Sequence, residues 1–382
     1  MRAEGRLSVD SKEDVAIRDL DNRCARCVLP TTLTQVQFSP DGICDLCRRA
    51  EAGQAENRRE TDGEIESVID RIRASGTGRS FDCLLGLSGG RDSTYLLYLL
   101  TQKHHLRVLA AYYRTPFTHR VIDDNVRRIV RQLKVPLVEM GLSQRKHAEL
   151  ARRLFCHWLK NPSLELANLT CAPCKLVNRE VHRIARSHRI KFIVYGGNRN
   201  ELVQFVPTFQ YNDGSAARSS FWSQTKKLYR IWRKGLHILA ACPPLLPYLP
   251  LCAKASLLYV DFGTSYLRLR YPEIERVDYF HDTTLNESEA NRIVTSMLGW
   301  SLPPDCYTTW RADCDFAELK NYMFERVCGA TYTDGFFSNL IRSGQMTREK
   351  AISQLHDGTY ISWNRIRRVL DTLNLPQDAI RS

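Results

Sequence analysis

The chain has 382 residues, enough for two or three domains that each bury a core of their own. Hydrophobic residues make up 43% and charged residues 25% of it, as is typical of soluble globular proteins. The formal net charge of +13 favours anionic partners such as nucleotides or RNA but does not choose among them. Residues 1–21 contain no apolar run, so we expect no signal peptide and a cytoplasmic protein.

Two Cys-x2-Cys pairs come first along the chain, Cys24 with Cys27 and Cys44 with Cys47, separated by sixteen residues. Thirteen cysteines in a cytoplasmic chain indicate metal or redox chemistry and argue against a disulfide framework. Each pair offers two thiolates to one tetrahedral ion. We therefore predict a zinc ribbon that holds a closed, structural Zn²⁺ site.

Strands and helices alternate after the polar segment 48–80. Short apolar runs predict strands, and apolar residues at helical spacing predict the helices between them. Parallel strands joined by crossover helices form an open α/β sheet, which binds its ligand at the carboxyl ends of the strands. The predicted strands are 81–87, 107–113, 135–140 and 191–195, and the predicted helices are 94–103, 121–133 and 176–188.

The first strand runs into the sequence Ser-Gly-Gly-Arg-Asp-Ser, which begins at Ser88. Gly89 and Gly90 put no Cβ in the way, so backbone N–H groups and the following helix N-terminus can hold anionic oxygens. Ser88 and Ser93 offer hydroxyl groups, and Asp92 could hold Mg²⁺. The lysine of a Walker loop is missing. The pattern resembles the PP-loop of the ATP pyrophosphatases, which release pyrophosphate and leave AMP on a substrate oxygen.

A second glycine-bearing turn, Gly-Gly-Asn-Arg-Asn-Glu, follows the predicted strand 191–195. Because parallel strands end at one edge of the sheet, this turn should face the same crevice as the first. Gly197 permits a close approach of the backbone, and Asn198 can hydrogen-bond to ATP. Glu201 is a candidate for contact with the substrate or with magnesium.

A third Cys-x2-Cys pair, Cys171 and Cys174, precedes the predicted helix 176–188. Thiols near a helix N-terminus have lowered pKa values and are good ligands or nucleophiles. Three hypotheses stay open: half of a second metal or iron–sulfur site, a redox pair, or two structural thiols. A cluster would need a further ligand, for which Cys242 is the first candidate and Cys252 the second.

The segment 235–253 carries no formal charge when His237 is neutral, and its length approaches that of a membrane span. Its four prolines would leave helix hydrogen bonds unmade in lipid, so we expect no membrane span. We interpret the segment as buried or as a surface for a partner protein.

Near the carboxyl terminus, the sequence of residues 339–350 predicts one helix, a break at Ser343-Gly344, and a second helix capped by Thr347. Arg342 and Arg348 flank the break and could contact an anionic ligand, the alternative being a solvated helical hairpin. The predicted organisation is a zinc ribbon over 1–50, an α/β domain over 78–215, and a mostly helical region for substrate or partner over 216–382.

Together these motifs resemble the N-acetyl sugar amidotransferases, PP-loop enzymes of bacterial surface-polysaccharide (lipopolysaccharide) biosynthesis. The most discriminating match is Ser-Gly-Gln-Met-Thr-Arg-Glu at 343–349, which most other PP-loop proteins lack. The chain departs from the family at Arg91, where lysine is usual, and over 214–258. The resemblance covers nearly the whole chain, through the cysteine motifs at 24–30, 41–47 and 171–174, the PP-loop with its strand at 81–93, and Gly-x-Asn-x-x-Glu at 196–201.

The resemblance implies that ATP and Mg²⁺ are bound at the PP-loop. An amide or carboxyl oxygen of the substrate would attack the α-phosphorus, pyrophosphate would leave, and ammonia would then displace AMP, which turns an acetamido group into an acetamidino group. Arg91, Asp92 and Ser93 would be the catalytic residues, with Arg91 neutralising charge.

Ammonia needs a source, and none of the cysteines has the Gly-x-Cys-x-Gly flanks of a usual glutaminase. A separate glutaminase subunit is therefore expected, with a sugar nucleotide as substrate. The alternative is a PP-loop enzyme that thiolates tRNA, since such enzymes share the zinc ribbon, the PP-loop and a mid-chain Cys-x2-Cys. The dispersed basic residues and the C-terminal motif favour a sugar over nucleic acid. A zinc-ribbon adaptor without activity would have no use for an intact phosphate loop.

Overall fold

A five-stranded parallel sheet forms the centre of the structure, a computed structural model that describes residues 22–53, 61–140, 143–201, 203, 233, 243–251, 254, 266–283, 285–357 and 361–380. The strand order is β3-β2-β1-β4-β5, and every neighbouring pair is parallel. The strands are β1 (Cys83–Leu87), β2 (Val108–Tyr112), β3 (Leu137–Glu139), β4 (Phe192–Tyr195) and β5 (Glu275–Asp278).

Helices connect the strands and form most of the C-terminal part of the chain. The first group is α1 (Asp45–Gly53), α2 (Thr61–Ser75), α3 (Arg91–Tyr98), α4 (Arg120–Gln132), α5 (Gln144–Lys160), α6 (Leu164–Leu169), α7 (Ala172–Lys175) and α8 (Val177–Ser187). The second group is α9 (Tyr279–Asp282), α10 (Glu287–Arg292), α11 (Phe316–Cys328), α12 (Tyr332–Arg342), α13 (Arg348–Asp357) and α14 (Trp363–Thr372). The π-helical turns Leu99–Lys103 and Ile293–Met297 continue α3 and α10.

The helix α4 shows how the sequence determines these elements. Ile122, Val126 and Ile129 recur at helical spacing and are buried, whereas the charged residues between them lie largely on the opposite face. The ring of His119 accepts a hydrogen bond from the backbone N–H of Val121 and so caps the first turn. The helix predicted over 121–133 is therefore confirmed.

The sheet is covered on both faces, so β1 is apolar on each. Leu85 and Leu87 belong to a core with α2, α3 and α4, whereas Leu84 belongs to a core with α8 and the segment 267–274. Strands buried on both faces are typical of parallel sheets. The predicted open α/β sheet is confirmed.

The fifth strand lies within the predicted C-terminal region, 216–382. The backbone N–H of Glu275 donates to the carbonyl of Lys191, and β5 pairs with β4 along its length. A boundary after residue 215 therefore does not separate the sheet from the rest of the chain. The strand was missed because it is short and mostly polar at the edge of the sheet.

The N-terminal cysteine module, residues 24–47, packs on α5 and on helices of the C-terminal region. Cys24 and Cys27 share a core with Trp158 of α5, Phe324 of α11 and Leu370 of α14. The N-terminal cysteine module and the mostly helical C-terminal region are thus confirmed as parts of the fold.

The predicted break between two C-terminal helices is also observed. The helix α12 ends at Arg342, Gly344 has a left-handed φ of +74°, and the Thr347 hydroxyl accepts from the backbone N–H of Lys350 at the start of α13.

Much of the proline-rich segment 235–253 lies outside the described residues, as do Cys242 and Cys252. Pro243–Tyr248 forms a 3₁₀-helix, in which Leu246 is 57% exposed. In the described ranges, no helix combines the length and the apolar character needed to cross a bilayer.

Candidate functional site

The turn between β1 and α3 has the backbone that the sequence predicted. Gly89 has a φ of +85°, and a Cβ at this position would lie 2.6 Å from Cγ2 of Ile122 and 2.8 Å from Cγ2 of Val126. Any side chain would therefore be both strained and too close to α4. Gly90 is the N-cap of α3, and no side chain caps that helix end. Its first N–H groups are thus available to an anion.

The two serine hydroxyl groups brace this turn. The Oγ atoms of Ser88 and Ser93 lie 3.2 Å apart, and the backbone N–H of Ser88 donates to Oγ of Ser93 at 3.3 Å. Oγ of Ser88 accepts from the backbone N–H of Gly90 at 3.2 Å. Both hydroxyl groups therefore help to fix the loop geometry, in addition to any contact they make with a ligand.

Arg91 is 3% exposed, and its guanidinium contacts carboxylates. Nε donates to Oδ1 of Asp92 at 2.6 Å, and Nη1 and Nη2 form a two-pronged ion pair with Glu287. Burial lowers the pKa of Arg91, but Asp92 and Glu287 outweigh it and the pKa is raised. Arg91 thus orients Asp92, and its contact with a phosphate stays a prediction. Oδ2 of Asp92 is buried without a hydrogen-bond partner among the described residues.

The turn after β4 meets this loop, as predicted. A Cβ at Gly196 would lie 3.3 Å from the backbone carbonyl oxygen of Asp92, so the two chain segments approach closely. Asn198 is 5% exposed, and its Nδ2 donates to Oε1 of Glu287 at 3.3 Å. A Cβ at Gly197 would have Oδ1 of Asp278 at 3.9 Å, an ordinary contact distance. Both glycine-bearing strand ends therefore lie on one crevice.

Residues from far along the chain complete the crevice. The indole N–H of Trp300 donates to the carbonyl of Gly89 at 3.0 Å. The carboxylate of Asp313 would lie 3.3 Å from a Cβ at Gly90. Asp313, Trp300 and Glu287 were not predicted, because no motif marks them and only the tertiary fold brings them to the loop.

Glu201 accepts a hydrogen bond from the indole N–H of Trp310 at 2.9 Å. Burial raises the pKa of Glu201 to about 7, with Arg311 opposing the shift and Asp92 and Asp313 adding to it. Asp92, Glu201 and Asp313 thus place hard oxygen ligands around the loop. In the described ranges these carboxylates do not converge on one point as the four N-terminal cysteines do, and the unpartnered Oδ2 of Asp92 is the atom that fits Mg²⁺ bound together with phosphates.

The four N-terminal cysteines converge as predicted. Their Sγ atoms all lie within 4.8 Å of one another, and all four residues are buried. Cys27 Sγ and Cys44 Sγ are 3.8 Å apart, the separation expected across a tetrahedral zinc with Zn–S bonds of about 2.3 Å. The donor set fits Zn²⁺, and four thiolates are also the ligands of iron–sulfur clusters.

Arg342 and Arg348 are directed to this cysteine module. Nη1 of Arg342 lies 3.5 Å from Sγ of Cys27 and 3.8 Å from Sγ of Cys47. Nε of Arg348 donates to the carbonyls of Cys24 and Cys27 at 3.2 Å and 3.1 Å. Their predicted contact with an anionic substrate stays a prediction, and the observed partners are the thiols of Cys27 and Cys47 for Arg342 and two backbone carbonyls for Arg348.

One hydrogen-bond path links the cysteine module to the crevice, and a second hydrogen bond joins the crevice to the segment between Arg342 and Arg348. Nη2 of Arg342 donates to Asn339, which donates to the backbone carbonyl of Asn200 at 2.8 Å. Oε1 of Gln345 accepts from the backbone N–H of Glu287 at 3.2 Å. The block Ser-Gly-Gln-Met-Thr-Arg thus lies between the two sites.

The pair Cys171 and Cys174 lies in a separate, partly buried cluster. Cys174 Sγ is 3.8 Å from Nε2 of His147, whose Nδ1 contacts the hydroxyl of Tyr113 at 2.8 Å. Burial lowers the pKa of His147 to about 4 and raises the pKa of Cys174, so both groups are neutral. Cys314, whose pKa burial raises to about 12, lies near enough to act electrostatically on Cys174. The thiolate expected from the helix N-terminus is thus opposed by burial, whereas metal binding stays untested.

No protein-family model matches the chain. An uncharacterized protein of Methanocaldococcus jannaschii is 23% identical over 134 residues, which are 35% of this chain and 43% of that protein. The chain therefore matches less than half of that relative's length.

Two solved structures are similar at low scores. NMN synthetase from Francisella tularensis has a TM-score of 0.36 and 12% identity, over 83% of this chain and 94% of that chain. The U34-tRNA thiolase NcsA from Methanococcus maripaludis, solved with its 4Fe-4S cluster, has a TM-score of 0.32 and 13% identity, over 92% and 88%. At these scores the likenesses decide nothing about the site, and the fold is established by the sheet topology itself.

Proposed function

We propose that this chain is a PP-loop ATP pyrophosphatase that adenylates the acetamido oxygen of an N-acetyl sugar nucleotide and then accepts ammonia to give an acetamidino sugar. The observation that carries the proposal is the loop at the end of β1. Gly89 is held in the left-handed region against α4, and the N-terminus of α3 lacks a side-chain cap. Such a loop suits a phosphate chain, and without a Walker lysine it suits cleavage between the α- and β-phosphates.

In the first step the acetamido oxygen bonds to the α-phosphorus, and the bond from that phosphorus to the bridging oxygen of pyrophosphate breaks. The N–H groups at the start of α3 would hold the phosphates, and Asp92 would hold Mg²⁺. When bound, the metal neutralises the charge that develops on the leaving pyrophosphate. Arg91 acts indirectly in this account, because its ion pairs with Asp92 and Glu287 fix the carboxylates.

In the second step ammonia adds to the activated carbon, AMP leaves with the former amide oxygen, and a proton is lost. A carboxyl group with a pKa near 7, as burial gives Glu201, could take up that proton. The ammonia is proposed to come from a separate glutaminase subunit. The exposed apolar residues Leu246 and Leu249 mark the candidate docking segment.

The test is to incubate the purified chain with ATP, Mg²⁺ and an acetamido sugar nucleotide, with either ammonium or glutamine as the nitrogen donor. We expect AMP, pyrophosphate and an acetamidino product with ammonium, and no nitrogen transfer from glutamine by this chain alone. Production of ADP in place of AMP would refute the pyrophosphatase proposal. Turnover with glutamine alone would refute the separate glutaminase.

The second candidate is tRNA thiolation, which the cluster of Cys171, Cys174 and Cys314 favours, because sulfur transfer needs thiols or a thiol-bound cluster. Both candidates share the adenylation step and differ in the acceptor. Binding of tRNA that weakens steeply with salt, together with sulfur transfer, would favour thiolation. Iron and sulfide analysis after anaerobic purification tests the cluster separately.

A further inference from the structure

Arg311 combines two features that cost stability. Its backbone φ is +50°, in the left-handed region that side chains other than glycine seldom adopt. Its Nε is buried, with no hydrogen-bond partner among the described residues. Strained backbone and unsatisfied buried donors persist mainly where a function requires them.

The guanidinium of Arg311 is held by aromatic rings. Its Cζ lies 5.4 Å from the ring centre of Trp310 and 5.2 Å from that of Tyr332. Within the described ranges, its side chain takes part in no ion pair, although Glu201 and Asp313 lie near enough to act on it electrostatically. The planar group is therefore fixed in position, and its N–H donors lack a carboxylate in direct contact.

A second cation shares the same ring. Lys320 of α11 is 6% exposed, and its Nζ lies 4.7 Å from the ring centre of Tyr332 and 5.6 Å from that of Phe324. Burial lowers the pKa of Lys320, but Cys171 and Tyr332 outweigh it, so the ammonium group stays charged. The Tyr332 hydroxyl donates to Oδ1 of Asn168 at 2.9 Å, which fixes the ring between the two cations and α6.

Two buried cations against one ring repel each other unless an anion lies between or beside them. Lys175 adds a third basic group that lies near enough to act electrostatically on both. Glu201, Asp313 and Cys171 act electrostatically on Arg311, but none of them forms an ion pair with it in the described ranges. A direct ion pair with these two cations is thus open to an anionic ligand.

We infer that Arg311 and Lys320 bind an anionic group, a phosphate or a carboxylate, of the acceptor substrate. The inference rests on the proposed function for its identification of the ligand as the acceptor. The position of Arg311 and Lys320 favours the acceptor substrate over ATP as the source of the anionic group. The loop at Gly89 contacts Trp300 and α4, whereas Lys320 lies among α6, α11 and α12. Trp310 and Glu201 connect the two places, as a substrate that reaches from one to the other would require.

The test uses the full chain saturated with an ATP analogue that has a methylene group between the α- and β-phosphates, so that the nucleotide site is filled. Inorganic phosphate and malonate are titrated separately by calorimetry. We expect wild type to bind at least one of them, and Arg311→Gln and Lys320→Gln each to weaken that binding about tenfold or more. Binding of phosphate alone would identify the diphosphate of a sugar nucleotide as the source, and binding of malonate alone an acidic sugar.

Arg189 offers a matched control, since it also has a left-handed φ, of +58°, but is exposed. Arg189→Gln should leave anion binding unchanged, and Arg311→Lys should retain part of it. Each variant should bind the ATP analogue as wild type does, and a cooperative urea unfolding transition checks that each is folded.

Unchanged anion binding in both Arg311→Gln and Lys320→Gln, or no anion binding by wild type, would overturn the inference. An equal loss of affinity for the ATP analogue would also overturn it, because the cations would then serve ATP. None of these measurements needs turnover, so they fail or succeed independently of the proposed reaction.

Discussion

Glu201→Gln should change how the stability of the protein depends on pH. A glutamate ionises near pH 4.3 in the unfolded chain, whereas burial raises the pKa of Glu201 to about 7 in the folded chain. Between these values the folded state keeps a proton that the unfolded state has lost. The free energy of unfolding therefore falls as pH rises, and it levels off above about pH 7.

The size of this effect follows from the pKa difference. At about 1.4 kcal/mol per pKa unit, Glu201 removes on the order of 3 kcal/mol of stability at high pH. Glutamine keeps the oxygen that accepts from Trp310 Nε1 but cannot ionise. The variant should therefore gain about 2 to 3 kcal/mol over wild type between about pH 5 and about pH 8.

Urea unfolding of both proteins, followed by circular dichroism at several pH values, measures this difference. Glu139→Gln is the control, because the Glu139 side chain is 48% exposed and lies on β3, two strands from β1 in the sheet. A stability difference between Glu201→Gln and wild type that stays constant from acid to alkaline pH would refute the reasoning. It would mean that Glu201 is ionised in the folded protein across this range.

Three further predictions concern the two sites. Cys24→Ser should lower zinc content and soluble yield together, because a four-thiolate site contributes folding free energy; unchanged metal by elemental analysis would contradict this. Arg342→Gln should weaken metal retention against a chelator about tenfold, since the Arg342 guanidinium faces two of the thiols. The control is Arg49→Gln, which changes an exposed arginine and should leave metal retention unchanged. Equal metal retention in the two variants would show that the contact between Arg342 and the thiols is incidental. Asp92→Ala or Ser93→Ala should slow pyrophosphate release about a hundredfold or more. A decrease in this rate of less than about threefold would show that the substituted residue has no catalytic role.

Local patterns predicted the elements on which the site is built. The alternation of apolar runs and amphipathic helices located β1 to β4, and Gly89 could be recognised because its backbone requirement is a property of the turn itself. The cysteine spacing likewise predicted the convergence of four thiols. In each case the determining residues are close together in the sequence.

The side chains that surround the loop could not be found in this way. Glu287, Trp300 and Asp313 lie about 200 residues beyond the loop, and packing of the whole chain brings them to it. The roles of Arg91 and Arg342 also depended on partners that the sequence does not reveal. Their expected contacts with a ligand stay predictions, whereas their contacts with side chains of the protein are observed.

The central claim is that an amide oxygen of the substrate attacks the α-phosphorus of ATP. It is tested most directly with an acetamido sugar nucleotide whose acetyl oxygen carries a heavy isotope, incubated with the chain, ATP, Mg²⁺ and ammonium. We predict that the label appears in AMP, since the former amide oxygen leaves with the phosphate of AMP, and that pyrophosphate stays unlabelled. Unlabelled AMP formed in step with an acetamidino product, or label in pyrophosphate or in inorganic phosphate, would contradict it.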